Sequence, residues 1–410
     1  MNIDDGVVVD SHIYWADRRG QVTAARGLDL SAPALESLSV AALHGIEDEW
    51  RSALRMLPAG CRAQFRYSQF TEFQQQLLAY YDATRERAEC GSFTERQRDE
   101  IYGRYAGADA DGRLRGNCCR LYLIAPLPGG MPRRSKRGRK SSSQQFDALC
   151  GEITRMMQRL GGNATQLSGE DLFKDLYHAF NPGSQTRNSE PPTSHLSPEK
   201  SILDCCRQGD VVGIEKPTTG FYHAGMYHGC LVMSGPPQNT HSGIISCLTN
   251  ADVHGFEFAV NLEPCNVASE IERAESIKAK LERARTSGSK NARMDHDILA
   301  ATERIHRLSA GAVAPVKLQL ILHAFDHDPE ALQAKILTLR NAVTAMSGAK
   351  SYEVALPTSA RNFFLAAIPG CPQHEKAYWH LLDDCCAANL LPVCGDSPES
   401  LAGAEALYQS

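Results

Sequence analysis

The chain contains no Gly-x-x-x-x-Gly-Lys-Ser/Thr segment, no Gly-x-Ser-x-Gly segment and no Cys-x-x-Cys pair. The first absence removes the ring of backbone N–H groups, with its adjacent lysine at a helix start, that cradles nucleotide phosphates. Three segments come near it: Gly138-Arg139-Lys140-Ser141, Gly288-Ser289-Lys290-Asn291 and Gly348-Ala349-Lys350-Ser351. Each places a residue between glycine and lysine. None follows an apolar strand with a second glycine five residues earlier. The second absence removes the nucleophile elbow of the hydrolases. The third removes the paired thiolates at turn spacing that a structural zinc site uses. Long apolar runs are also missing. Leu318–Leu322 and Phe363–Ile368 fall far short of the ~18 residues that span a bilayer. The opening Met1-Asn2-Ile3-Asp4-Asp5 is acidic where a secretory signal would be basic. These absences predict a soluble, cytoplasmic chain, with peripheral attachment to a membrane left open.

What is present is ordinary globular composition: 410 residues, 42% hydrophobic and 22% charged, enough for about two to three domains. Forty-three Lys and Arg against 48 Asp and Glu give a net charge of −5, which excludes a basic nucleic-acid coat. Fourteen cysteines include three adjacent pairs, Cys118-Cys119, Cys205-Cys206 and Cys385-Cys386. Without turn spacing they read as small apolar thiols of a reducing compartment.

The pattern along the chain predicts α+β structure. An opening hairpin runs from Val7 to Trp15 and returns over Gln21 to Leu28, with Asp17-Arg18-Arg19-Gly20 as the turn. A helix follows Pro33 and stops at Pro58 and Gly60. Then come a strand (Cys61 to Phe70), a helix pair broken near Gly91-Ser92, a strand at Leu121-Tyr122-Leu123-Ile124 and a helix from Gln145 to Leu160. A similar order recurs roughly 195 residues later. Phe256–Leu262 alternates as a strand, residues 268–308 form a helix pair broken near Thr286-Ser287-Gly288-Ser289, Val316–Phe325 is again a strand, and Pro329–Met346 is a helix. The expectation is two related lobes of short sheets with helix pairs. They occupy 1–180 and 199–410, joined by a Pro/Ser/Thr-rich linker at 181–198. In 268–308 the charges alternate around a thin stripe of Ile271, Ile277 and Leu281, as suits a protruding helix hairpin able to dock a partner.

Candidate chemistry is sparse. His323 and His327 would pair as metal ligands on a helix, but on a strand four residues span ~13 Å, too far for one ion. Asp326 and Asp328 beside them read as a turn. Cys230 with His223 or His228 offers a thiol and a base, so a cysteine-dependent enzyme is one alternative. The one strong charge run is Arg133, Arg134, Lys136, Arg137, Arg139 and Lys140. It suits an anionic partner, lipid headgroups at ~1 kcal/mol per charge or nucleic-acid phosphates, and a nucleic-acid adaptor is the other alternative. No aromatics interleave it, so base stacking is not indicated.

The order of features resembles the N-terminal, non-motor region of the TraC/TrbE-like conjugative-transfer ATPases of type IV secretion systems. The residues that carry the resemblance are Asp17, Gly20 and Gly27-Leu28-Asp29 at the start, then Leu54-Arg55-Met56-Leu57-Pro58-Ala59-Gly60 before the strand Cys61–Tyr67. Phe180-Asn181-Pro182, Met233 to Pro237 and Asn261-Leu262-Glu263-Pro264 follow. Phe363–Gly370 and Ala387-Ala388-Asn389-Leu390-Leu391-Pro392 complete the set. The resemblance covers residues 5–395 and includes no catalytic signature. The family's motor domain would begin after about residue 400, so its catalytic residues fall on no position here. The resemblance implies an assembly and anchoring module without hydrolysis of its own. Its implied partners are inner-membrane components of the machine, a separate motor domain or further copies. It implies no cofactor, no metal, no small-molecule substrate and a cytoplasmic location at the inner membrane.

Overall fold

The computed structural model describes residues 3–17, 21–31, 39–70, 77–78, 81, 91–110, 116–127, 140–160, 162–182, 202, 206, 212–214, 220–286, 292–372 and 375–392. The expected opening strand Val7–Trp15 is divided in two. Asp10 takes a positive φ of 53° and turns the chain between β1 (Ile3–Val9) and β2 (His12–Asp17). Aspartate is one of the few residues with a side chain that tolerates this conformation. β3 (Val22–Ser31) then pairs with β2.

From β3 onward the two halves of the chain follow one plan. The first runs β3, α1 (Val40–Met56), β4 (Arg62–Phe70), α2 (Gly91–Ala110), β5 (Gly116–Leu127), α3 (Lys140–Arg159) and β6 (Asn163–Gln166). The hairpin strands β7 (Val212–Ile214) and β8 (Gly220–His223) precede the second. It runs β9 (Met226–Gly235), a four-residue α5 (Ser246–Thr249), β10 (Phe256–Pro264), the helix pair α6 (Val267–Thr286) and α7 (Ala292–Ser309), β11 (Pro315–Asp326), α8 (Pro329–Ala345) and β12 (Lys350–Glu353). Spatial order is β6-β3-β5-β4 in one half and β12-β9-β11-β10 in the other. Both are the βαββαβ arrangement of ferredoxin-like units, and every ladder is antiparallel. Each unit ends in a helix that crosses to the opposite face, α4 (Gly169–Phe180) in the first and α9 (Pro357–Ala367) in the second. β13 (His380–Asp383) and α10 (Asp384–Ala388) close the described chain.

The recurrence expected at roughly 195 residues is therefore real, but the sheets of the two expected lobes are one. β4 lies against β10 from Ala63↔Leu262 to Ser68↔Glu257, giving a 13-stranded sheet among the described residues. The linker expected at 181–198 lies, from residue 183, outside the described residues. Helices α1, α3, α5, α8 and α10 cover one face, where Phe65, Leu121, Phe258, Val260, Leu318 and Leu320 point. Helices α4 and α9 cover the other, against Tyr122, Ile124, Ala259 and Ile321. Alternation along β10 and β11 sends successive side chains to opposite layers. No described helix is long and apolar enough to cross a membrane.

Candidate functional site

The layer under α9 is apolar at its margins and polar at its centre, where the two halves meet. Gln64 on β4, Asn261 on β10 and Gln319 on β11 are wholly buried and adjacent across three strands. Burying an amide without partners costs several kcal/mol in an apolar medium, so their bonds matter. All of them reach the chain that leaves α9. Gln64 Nε2 and Asn261 Nδ2 donate to the Ala366 carbonyl at 3.0 and 3.2 Å. Gly370 N–H donates to Gln64 Oε1 at 2.9 Å. Gln319 Nε2 donates to the carbonyls of Glu375 and Ala377 at 3.1 and 2.7 Å, and Arg62 Nη2 donates to Pro372 at 2.9 Å. Side chains of the sheet thus hold the main chain of a strap at 366–372 and 375–377. Gly370 makes the close approach possible. Its φ is 61°, and a Cβ there would sit 2.7 Å from the Ala25 Cβ. Beside the strap, Arg66 and Glu257 form an ion pair across the joint.

Next to this row lies a histidine pair. His228 Nε2 is 3.1 Å from the His223 carbonyl, which can only accept, so that nitrogen carries the proton. His228 Nδ1 therefore accepts from His323 Nε2 at 2.9 Å. Phe221 stacks on His228 at 4.7 Å and Phe364 packs against both rings. Burial holds both imidazoles neutral: it lowers His228 to about 3 and His323 well below its ordinary value, with each other's charge a lesser cause for His323. Gly220 faces the same strand. Its φ is 147°, and any Cβ would lie 1.9 Å from the His228 carbonyl oxygen.

The thiol-and-base pairing is not the one the structure makes. Cys230 Sγ donates to the Ala360 carbonyl at 3.4 Å, and burial pushes the thiol up to about 12, so no thiolate is available near neutrality. His323 joins His228, while His327 is exposed with its Nδ1 3.3 Å from the Gly225 carbonyl. Asp326 holds Lys335 at 2.7 Å, and Asp328 caps α8. No cluster of three or more His, Cys, Asp or Glu suited to a metal ion occurs among the described residues. Gly348 lies in the turn before β12, and Lys350 is the first residue of that strand. Arg133, Arg134, Lys136, Arg137 and Arg139 lie outside the described residues, and Lys140 is the first residue of α3.

The helix hairpin is where it was expected. α6 spans 20 residues, about 30 Å, and Ala274 is its one buried residue. Ile277 on α6 is 46% exposed and Leu299 on α7 is 66% exposed. The root is fixed electrostatically. Arg304 and Arg307 of α7 reach Asp383 at 3.1 and 3.4 Å, and Arg55 of α1 reaches the fully buried Asp384 at 2.6 Å. Arg51 and Arg55 also donate to the Ala312 carbonyl, at 3.2 and 3.1 Å. The arm is thus anchored at one end and uncovered along its length.

Sequence reasoning did not find Gln64, Asn261 or Gln319. A signal was there, since Asn261 and Gln319 are polar residues set within apolar strand runs. With this geometry in view, comparison with known proteins adds no relative: no family model matches the chain, and no curated protein matches it.

Proposed function

We propose that this protein is an assembly module that docks partners through its helix arm and does not hydrolyse nucleotide itself. The arm carries the reading: a helix of 20 residues that buries only Ala274 gains little from its own fold and presents Ile277 for contact. The spent state of the other polar groups supports it. The central amides hold the strap, the histidines hold each other, and the Cys230 thiol is fixed on a carbonyl. The order of sequence features, with its resemblance to the non-motor region of TraC/TrbE-like secretion ATPases, suggests the setting. That setting is a scaffold at the cytoplasmic side of an inner membrane, joining a separate motor to membrane components of a type IV secretion machine. The basic run 133–140 suits anionic headgroups there.

The test is co-expression with the membrane components and motor of such a machine, followed by affinity purification through this chain. The complex is expected with the wild type and lost when Ile277→Asp and Leu299→Asp are combined on the arm. Calorimetric titration of the purified chain with Mg-ATP is expected to show no heat of binding. Stoichiometric ATP binding or turnover by the chain alone overturns the reading.

A further inference from the structure

The internal repeat exposes a missing piece. In the first half the β3-to-β4 crossover carries α1, a helix of 17 residues. In the second half the equivalent β9-to-β10 crossover keeps only the four residues of α5. α10 packs against α1 from the second half. Between α1, the segment entering α5 and the residues after α10 lies a shallow open groove. Its walls are Leu43, Ile46 and Trp50 from α1, Ile245 from the segment entering α5, and Leu391 from the end of the described chain. Glu47 stands among these apolar groups with no ion pair among the described residues, and its one polar contact is the Ser242 hydroxyl at 3.5 Å. The Trp50 indole N–H, in a side chain 2% exposed, has no acceptor among the described residues.

The arm carries the complement of this groove. Arg273, Ile277 and Lys280 are spaced four and three apart, so they share one face of α6. Ile277 is a large apolar residue left uncovered, and the exposed Lys280 makes no ion pair among the described residues. An apolar side chain with a cation one turn away is what an apolar groove with a lone carboxylate would take. We propose that the arm of one copy of this chain seats Ile277 in the α1 groove of a second copy, with Lys280 meeting Glu47. Arm and groove are different surfaces, so the contact is heterologous, and repetition builds a ring or an open filament. The inference rests on the reading of the arm as a docking element, and not on any assignment to a secretion machine.

Sedimentation velocity on the purified full chain tests it. The wild type is expected to associate with rising concentration. Ile277→Asp, Lys280→Glu and Glu47→Lys are each expected to weaken association at least about tenfold, with far-UV circular dichroism unchanged because all three positions lie at the surface or groove rim. In a mixture of the Lys280→Glu and Glu47→Lys proteins both heterotypic contacts are opposite in charge, one native and one reversed in sign, so association of alternating copies is expected to be restored. A wild type that stays monomeric at its highest soluble concentration overturns the proposal. So does association that Ile277→Asp leaves intact, or a mixture in which the two weakened variants fail to pair. A monomeric wild type leaves co-purification with membrane components and motor as a separate measurement, so the two readings can fail independently.

Discussion

His323 shows how a residue's neighbours decide its chemistry. In sequence its nearest histidine is His327, four residues on and too far along a strand to meet it; in the fold it reaches across the β9–β11 ladder to His228. Both rings are buried and neutral, so the folded chain binds fewer protons than the unfolded chain below the ordinary histidine pKa of ~6.5. Their contribution to stability is fully present above that value. It falls as pH drops from about 6.5 toward the folded His228 value of about 3. Each histidine adds a slope of up to about 1.4 kcal/mol per pH unit in that window. His323→Gln keeps a donor for His228 Nδ1 and removes one titrating group. Urea unfolding between pH 7 and 4 is expected to give a shallower loss of stability in the variant than in the wild type. Equal slopes would show that His323 does not titrate with unfolding.

At the level of elements, α4 offers a local test. Ser168 Oγ accepts from the Asp171 N–H at 3.2 Å, and Asp171 Oδ2 accepts from the Ser168 N–H at 3.0 Å. Burial pushes the Asp171 carboxyl up, but the bonds its Oδ2 accepts from the Ser168 hydroxyl at 2.6 Å and from the Ser168 N–H, with Arg120 and Lys174 nearby, outweigh it and leave the carboxyl below its usual range. The helix they start buries Leu172, Phe173 and Leu176 under the sheet. Ser168→Ala is expected to cost about 1 kcal/mol, read as a shift in urea midpoint with unchanged slope. The cap lay in the sequence as Ser168-Gly169-Glu170-Asp171, yet glutamate or glutamine is the usual partner three residues on, and aspartate hid it. Longer elements were legible because periodicity needs length. β10, β11, α8 and both arm helices stand where alternation or the 3.6-residue period put them. β6 and β12 have four residues each, too few for a period, and they belong to the sheet only through β3 and β9. The polar centre was hidden for a different reason. Gln64 bonds Ala366 and Gly370, some three hundred residues away, and a main-chain partner leaves no mark in side-chain pattern.

Across the whole molecule, the repeat and its joint determine how the chain should unfold. Two lobes with separate sheets would melt as two bodies. Here β4 and β10 share a ladder whose side chains at Phe65, Phe258 and Val260 are buried in one core spanning both halves. The strap from the second half is tied by Arg62 and Gln64 of the first, and Arg66 pairs with Glu257 across the same joint. Parting the halves would expose two central strand edges and leave these buried polar groups unpaired, at a cost of about 1–3 kcal/mol for each unsatisfied group. Neither half is then stable once the other opens, and a single cooperative transition is expected despite the length of 410 residues. Trp15 and Trp50 lie in the first half and Trp379 in the second. In Trp379→Phe, fluorescence reports only the first half, while far-UV circular dichroism reports both. The two urea curves of that variant are expected to coincide. A fluorescence midpoint displaced from the dichroism midpoint, or a dichroism curve with a plateau, would mean that the halves unfold separately and that the shared ladder does not couple them.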